Sequence, residues 1–150
     1  MIARIEDDYI NLYSPQQVLI GKLKWQSPKQ TAQYELHCRD KRYVLVRRGL
    51  RFYFQNEGEQ TRCIKKHWWF NQFSVLPSQY TVYIGLKNKW RTRLSDRYNR
   101  RLLRIRDRKF DTSRPEFFIK LDNEKLSEMD ILIALFGHVY HKSTQLKKSS

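Results

Sequence analysis

Near its C-terminus the chain reads Ile131-Leu132-Ile133-Ala134-Leu135-Phe136-Gly137-His138-Val139-Tyr140, a run that is apolar on every side when wound into a helix. A helix without a polar face has to be enclosed. Its start is marked in the sequence. Ser127 stands as N-cap, Glu128 and Asp130 fall in the first turn, and Asp130 takes the third helical position, as in a capping box. The spacing predicts a helix over about 128–141. About ten apolar residues are too few to cross a bilayer, which takes roughly 18 or more. The enclosing material is therefore expected to be the protein itself.

From Tyr9 to Leu121 the hydrophobic period is predominantly 2, as in Tyr43-Val44-Leu45-Val46, Phe52-Tyr53-Phe54, Tyr80-Thr81-Val82-Tyr83-Ile84 and Phe117-Phe118-Ile119-Lys120-Leu121. Turn signals separate these short runs: Ser14-Pro15, Ser27-Pro28, Arg39-Asp40-Lys41, Asn56-Glu57-Gly58, Pro77-Ser78, Lys87-Asn88 and Asp111 to Pro115. Such spacing describes a meander of hairpins. The expected fold class is mainly β: a closed antiparallel β-barrel of short hairpin-connected strands enclosing a C-terminal hydrophobic α-helix. Residues 1–8 are expected to form a short N-terminal lead-in, 9–142 a single barrel domain, and 143–150 a flexible tail. Burying Ile131, Leu132, Ile133, Leu135, Phe136 and Val139 would contribute on the order of 10 kcal/mol before chain entropy is subtracted.

Composition narrows the function classes. The 150 residues hold 30 Lys+Arg against 15 Asp+Glu, a formal charge of +15, yet 40% are hydrophobic and 14% aromatic. That apolar content argues against disorder and suffices for one domain's core. Met1 to Asp8 carries acids where a secretory leader would be basic and then apolar. Two cysteines, Cys38 and Cys63, make no disulfide framework and no zinc site, so a reducing, cytoplasmic setting is expected, without metal or cofactor. The basic surface attracts polyanions: nucleic acid, anionic lipid or an acidic protein.

The densest charge lies between Lys87 and Lys109. The candidate anion-binding residues are Lys89, Arg91, Arg93, Arg97, Arg100, Arg101, Arg104, Arg106 and Arg108, with only Asp96 and Asp107 among them. Alternate residues of a strand share a face, so Arg104, Arg106 and Arg108 should project together, as should Arg91 and Arg93. Arginine's planar fork suits bidentate contact with phosphate. The plainer alternative is an edge strand defended by charge. Trp25, Trp68, Trp69, Phe70 and Trp90 could stack on bases or sit at a membrane interface if exposed, against packing in the core. Trp68 and Trp69 are neighbours, so in a regular strand one must leave the interior, which makes them the candidate aromatic contact. A second basic set, Arg39, Lys41, Arg42, Arg47, Arg48 and Arg51, brackets Tyr43 to Val46.

No catalytic constellation emerges. His37, His67, His138 and His141 lack metal-ligand spacing. His138, on the apolar helix, reads as a core histidine whose hydrogen bonds are satisfied. Cys38 and His37 face opposite ways on a strand. Glu6, Asp7 and Asp8 blunt the N-terminus, while Asp122 and Glu124 precede the helix.

The segment from Phe52 to Phe70, with an aromatic strand, the turn Asn56-Glu57-Gly58-Glu59, and a basic-apolar strand ending in His67-Trp68-Trp69-Phe70, resembles the repeated hairpin of the tubby C-terminal-domain-like superfamily, which includes LURP-one-related proteins and phospholipid scramblases. The terminal Glu128-Met129-Asp130-Ile131-Leu132-Ile133-Ala134-Leu135-Phe136 is similar to that superfamily's central helix. The resemblance implies a closed barrel around a helix and, as in tubby domains, recognition of phosphoinositide head groups by basic side chains. The chain lacks the cysteine-rich segment and apolar terminal anchor of scramblases. The expected function is a non-enzymatic module that binds an anionic ligand, foremost phosphoinositide or acidic phospholipid head groups at a membrane surface, with no transmembrane segment. The alternatives are a nucleic-acid-binding protein using the same surface, or a scaffold or inhibitor that docks an acidic protein partner.

Overall fold

Alternating residues form strands wherever turn residues bound them. The computed structural model describes residues 1–24, 34–56, 59–67, 69–108 and 116–148, with side chains throughout these except at 59–61 and 141–148. The strands are β1 (Ile2–Glu6), β2 (Tyr9–Tyr13), β3 (Leu19–Lys24), β4 (Tyr34–Cys38), β5 (Lys41–Arg48), β6 (Arg51–Asn56), β7 (Glu59–Lys66), β8 (Gln72–Leu76), β9 (Tyr80–Tyr83), β10 (Thr92–Ser95), β11 (Arg101–Asp107) and β12 (Glu116–Leu121), followed by α1 (Glu128–Lys148). Each strand pairs with its sequence neighbours, and β1 pairs antiparallel with β12 to close the barrel. The turns expected at Ser27-Pro28 and Asp111 to Pro115, together with Gly58, Trp25 and Lys109, lie outside the described residues.

Residues 1–8 are not a lead-in but the closing strand and its turn. Ile2, Ala3 and Arg4 register with Phe118, Phe117 and Glu116. The Met1 ammonium donates to the Ile119 carbonyl at 3.2 Å, and Arg4 Nε donates to Glu116 Oε1 at 3.1 Å. The strand's fully buried residue is the small Ala3, so its apolar alternation is weak.

Inward side chains from every part of the sheet, including Ile10, Leu23, Leu36, Phe52, Phe54, Phe73 and Leu103, are at most 1% exposed. They surround α1, whose residues Ile131 to Phe136 are also at most 1% exposed. Its cap is as expected: the Asp130 N–H donates to Ser127 Oγ at 3.2 Å, and that hydroxyl donates to Asp130 Oδ2 at 2.6 Å. The helix continues past 141 to Lys148, through most of the expected tail; Gln145, Leu146, Lys147 and Lys148 are good helix formers. Space for the helix is made at Gly21. A Cβ there would stand 2.6 Å from Leu132 Cδ1 and 3.0 Å from the His37 carbonyl oxygen.

Direction follows from the two ends of α1. Glu128 accepts from Arg39 Nε at 3.3 Å, beside the β4–β5 turn, and Asp130 accepts from Arg62. At the far end the Lys66 ammonium lies 5.3 Å from the Tyr140 ring centroid. Because successive strands reverse direction, the tips of β5–β6, β7–β8 and β9–β10 share this far end, here the exit end. Outward positions such as Arg93, Arg104, Arg106 and Lys120 are charged while the interior is apolar, the inverse of a bilayer-spanning barrel's patterning. Among the described residues no helix is long and apolar enough to cross a membrane.

Candidate functional site: a cationic cleft at the exit end

Leu103 and Ile105 face the core, so Arg104 and Arg106 between and beyond them project outward from β11. The neighbouring β9–β10 connection is folded back on itself, with Gly85 at φ +67° and the Leu86 N–H donating to the Arg91 carbonyl at 3.0 Å. It carries Lys87, Lys89 and Arg91 exposed. These three, with Arg106 and Arg108, line a cleft of about 610 Å³ whose other walls include Asn88, Asp107 and Phe118.

The cleft's arginines are ordered by aromatic plates. The Arg106 guanidinium lies 5.1 Å from the Trp90 ring centroid and 4.9 Å from that of Phe118, its register partner on β12. Arg108 lies 5.1 Å from Phe118 and donates from Nη1 to Glu116 Oε2 at 2.7 Å. Each such contact is worth roughly 0.5–1 kcal/mol at exposed sites. The rings hold Arg106 in place without neutralising it, whereas Arg108 is also paired with Glu116. Among the described residues no carboxylate comes within ion-pair distance of Lys87, Lys89, Arg91 or Arg106. The Arg106 Nε is buried without a hydrogen-bond partner.

The cleft's carboxylate, Asp107, is turned toward the barrel interior. His138 Nε2 lies 2.9 Å from Asp107 Oδ1, and His138 Nδ1 lies 2.5 Å from Thr92 Oγ1. Both ring nitrogens of His138 and the Thr92 hydroxyl thereby have hydrogen-bond partners. His138 is thus the satisfied core histidine that the sequence suggests, and it ties the helix to the cleft floor.

The structure divides the predicted arginine run. Lys89, Arg91, Arg106 and Arg108 meet in the cleft. Arg93 and Arg104, register partners on β10 and β11, lie on the adjoining wall. Arg93 stacks on Tyr83 at 4.8 Å, and Arg104 makes a two-pronged bond to Asp122 at 3.2 and 3.0 Å while covering Trp90 at 5.1 Å. Arg97, Arg100 and Arg101 belong to the opposite end, at the β10–β11 turn. There Arg97 donates to the Tyr98 hydroxyl at 2.6 Å, Arg100 pairs with Asp96 at 2.7 Å and Arg101 with Asp122 at 3.1 Å. Burial alone would raise the Asp96 carboxyl's pKa, but backbone N–H bonds from Tyr98 and Arg100 and the Arg100 side chain hold it below the usual range.

Trp90, clamped by Arg104 and Arg106, has a ring face already covered. Trp68 lies outside the described residues. Trp69 is 82% exposed and Phe70 66%. Strand alternation does not decide their facing, because β7 ends at Lys66 and the chain bends through the β7–β8 tip. The second basic set is also split, with Arg39 and Lys41 at the helix-start end and Arg47, Arg48 and Arg51 at the exit end. Burial pushes the Cys38 and Cys63 thiols up, and the nearby Glu128 carboxylate raises Cys38 further.

Sequence reasoning did not place Lys87, Asn88, Asp107 and Phe118 in the site. One signal was present: Asp107 continues the inward parity of Leu103 and Ile105, so an acid and the helix histidine both occupy core-facing positions. The fold and cleft together define a helix-filled antiparallel barrel with a cationic, aromatic-walled cleft at one end. No protein-family model, curated protein or solved structure matches the chain.

Proposed function

We propose that this protein is a non-enzymatic binding module whose cleft takes the phosphate of an acidic phospholipid head group, phosphoinositides foremost. One observation carries the reading: Lys87, Lys89, Arg91 and Arg106 meet in one cleft with no carboxylate within ion-pair distance among the described residues, whereas Arg100 and Arg101 at the opposite end are tied to Asp96 and Asp122. An entering phosphate would supply acceptors for Lys87, Lys89, Arg91 and the Arg106 guanidinium. The tubby-like resemblance supports the same ligand class, and the helix-filled barrel is the architecture it implies.

The test is a competition at 0.15 M salt, where the Debye length is about 8 Å and loose attraction is screened. Phosphoinositide vesicles, phosphatidylserine vesicles and duplex DNA are titrated against the same labelled protein. Near an anionic surface each cation contributes roughly 1 kcal/mol, so the double variant K89E/R91E should bind phosphoinositide vesicles more than about tenfold more weakly. Equal loss of all three ligands at this salt would overturn the proposal, and preference for DNA would move the assignment to nucleic acid.

A further inference from the structure

Between Glu59 and Asp96 the chain contains no Asp or Glu, and between Asp40 and Glu57 it contains none either. The fold turns these two acid-free stretches into three neighbouring hairpin tips at the exit end. The β5–β6 tip presents Leu50, 42% exposed, between Arg48 and Arg51. Gly49 permits this tight turn by adopting φ +63°. The β7–β8 tip presents Trp69 and Phe70, and the β9–β10 tip presents Lys87, Lys89 and Arg91. The tips are braced against one another: the Lys66 N–H donates to the Leu50 carbonyl at 2.7 Å, and the Ile84 N–H donates to the Asn71 carbonyl at 2.9 Å.

Exposed rings at loop tips, flanked by cations and free of carboxylates, match the two components of interfacial binding: apolar burial at the acyl boundary and attraction to anionic head groups. The three tips carry no carboxylate; the exposed acids of the same end, Asp7 and Asp8, lie across the barrel at the β1–β2 turn, and at the opposite end Arg39, Arg100 and Arg101 are already paired with Glu128, Asp96 and Asp122. We infer that the protein docks on an acidic bilayer through these three tips, with Trp69 and Phe70 inserted at the level of the acyl chains and Leu50 grazing the same plane. This inference rests on the phospholipid reading above and specifies the orientation of the bound barrel. The cleft beside the β9–β10 tip then lies at head-group depth, and the barrel leans toward the three tips so that the acidic β1–β2 turn is held off the surface.

Two readouts separate this inference from the head-group proposal. The first is quenching of tryptophan fluorescence by vesicles of phosphoinositide and phosphatidylcholine whose acyl chains carry bromine, compared between the natural chain and W69F. The expected result is quenching of the natural chain that falls markedly in W69F while sedimentation with the vesicles is retained. The second is the affinity of W69A/F70A for the same vesicles without bromine, expected to fall about tenfold with the melting temperature unchanged, as befits exposed side chains. Binding with equal quenching in the natural chain and W69F, or natural affinity in W69A/F70A, would overturn insertion of the tips and leave the head-group cleft standing. Absence of vesicle binding by the natural chain would overturn both.

Discussion

His138 sits at 3% exposure inside an otherwise apolar enclosure, and it is stable there because Thr92 and Asp107 meet both ring nitrogens. Removing the ring leaves a buried hydroxyl without its partner and a void beside it. His138→Ala should therefore lower unfolding free energy by about 2–4 kcal/mol, read from the urea midpoint; a change within about 0.5 kcal/mol would show that the network is dispensable. Glu35 gives a pH-dependent counterpart. It is 7% exposed, and the Arg42 guanidinium that donates to it outweighs its burial and holds its carboxyl below the usual range. A carboxyl with a depressed folded-state pKa adds stability that is fully present above the ordinary carboxylate range and is lost as pH falls through the folded-state value. Melting temperature should thus decline from about pH 5 downward, and Glu35→Gln should flatten that decline while lowering the plateau. An unchanged acid limb in Glu35→Gln would assign the decline to other carboxylates.

At the level of elements, α1 was legible because three independent signals agreed: the Ser127 cap, the acids of the first turn and an apolar run with no polar face. Enclosure by strands then followed from its lack of a wet side. The counterpart prediction is that a chain ending at Lys125 has no core to close around and gives no cooperative melt by circular dichroism; a cooperative transition would show that the sheet packs without the helix. β1 was illegible for the opposite reason, since a five-residue strand with Ala3 as its buried residue and acids at its end leaves almost no alternation to read. The candidate site was half legible. Strand parity placed Arg104 and Arg106 outward, but the β10–β11 turn reverses the chain inside the arginine run and sends its middle to the other end. Asp122, which engages Arg101 and Arg104, comes from beyond β12 and leaves no trace in the local sequence.

For the whole molecule, the question is whether the +15 charge acts as a diffuse field or through one place on the surface. Two variants that remove equal charge separate these cases. K89E/R91E alters the exit-end cleft, and K41E/R97E alters the opposite end. If the cleft is the site, the first loses binding to phosphoinositide vesicles while the second keeps it within about threefold, a difference of roughly 0.7 kcal/mol. Equal losses in sedimentation assays at 0.15 M salt would show that net charge alone governs association.

The β1–β12 seam joins the first residues of the chain to some of the last, Ile2 to Phe118 and the Met1 ammonium to the Ile119 carbonyl. During synthesis β1 emerges well before β12 and α1, so the growing sheet has two raw edges and an empty interior until those segments follow. Closure waits for them, and contacts of such long sequence separation form slowly. The interval before closure is when this chain most needs a chaperone, and a fusion that delays or tethers its C-terminus should prolong that dependence.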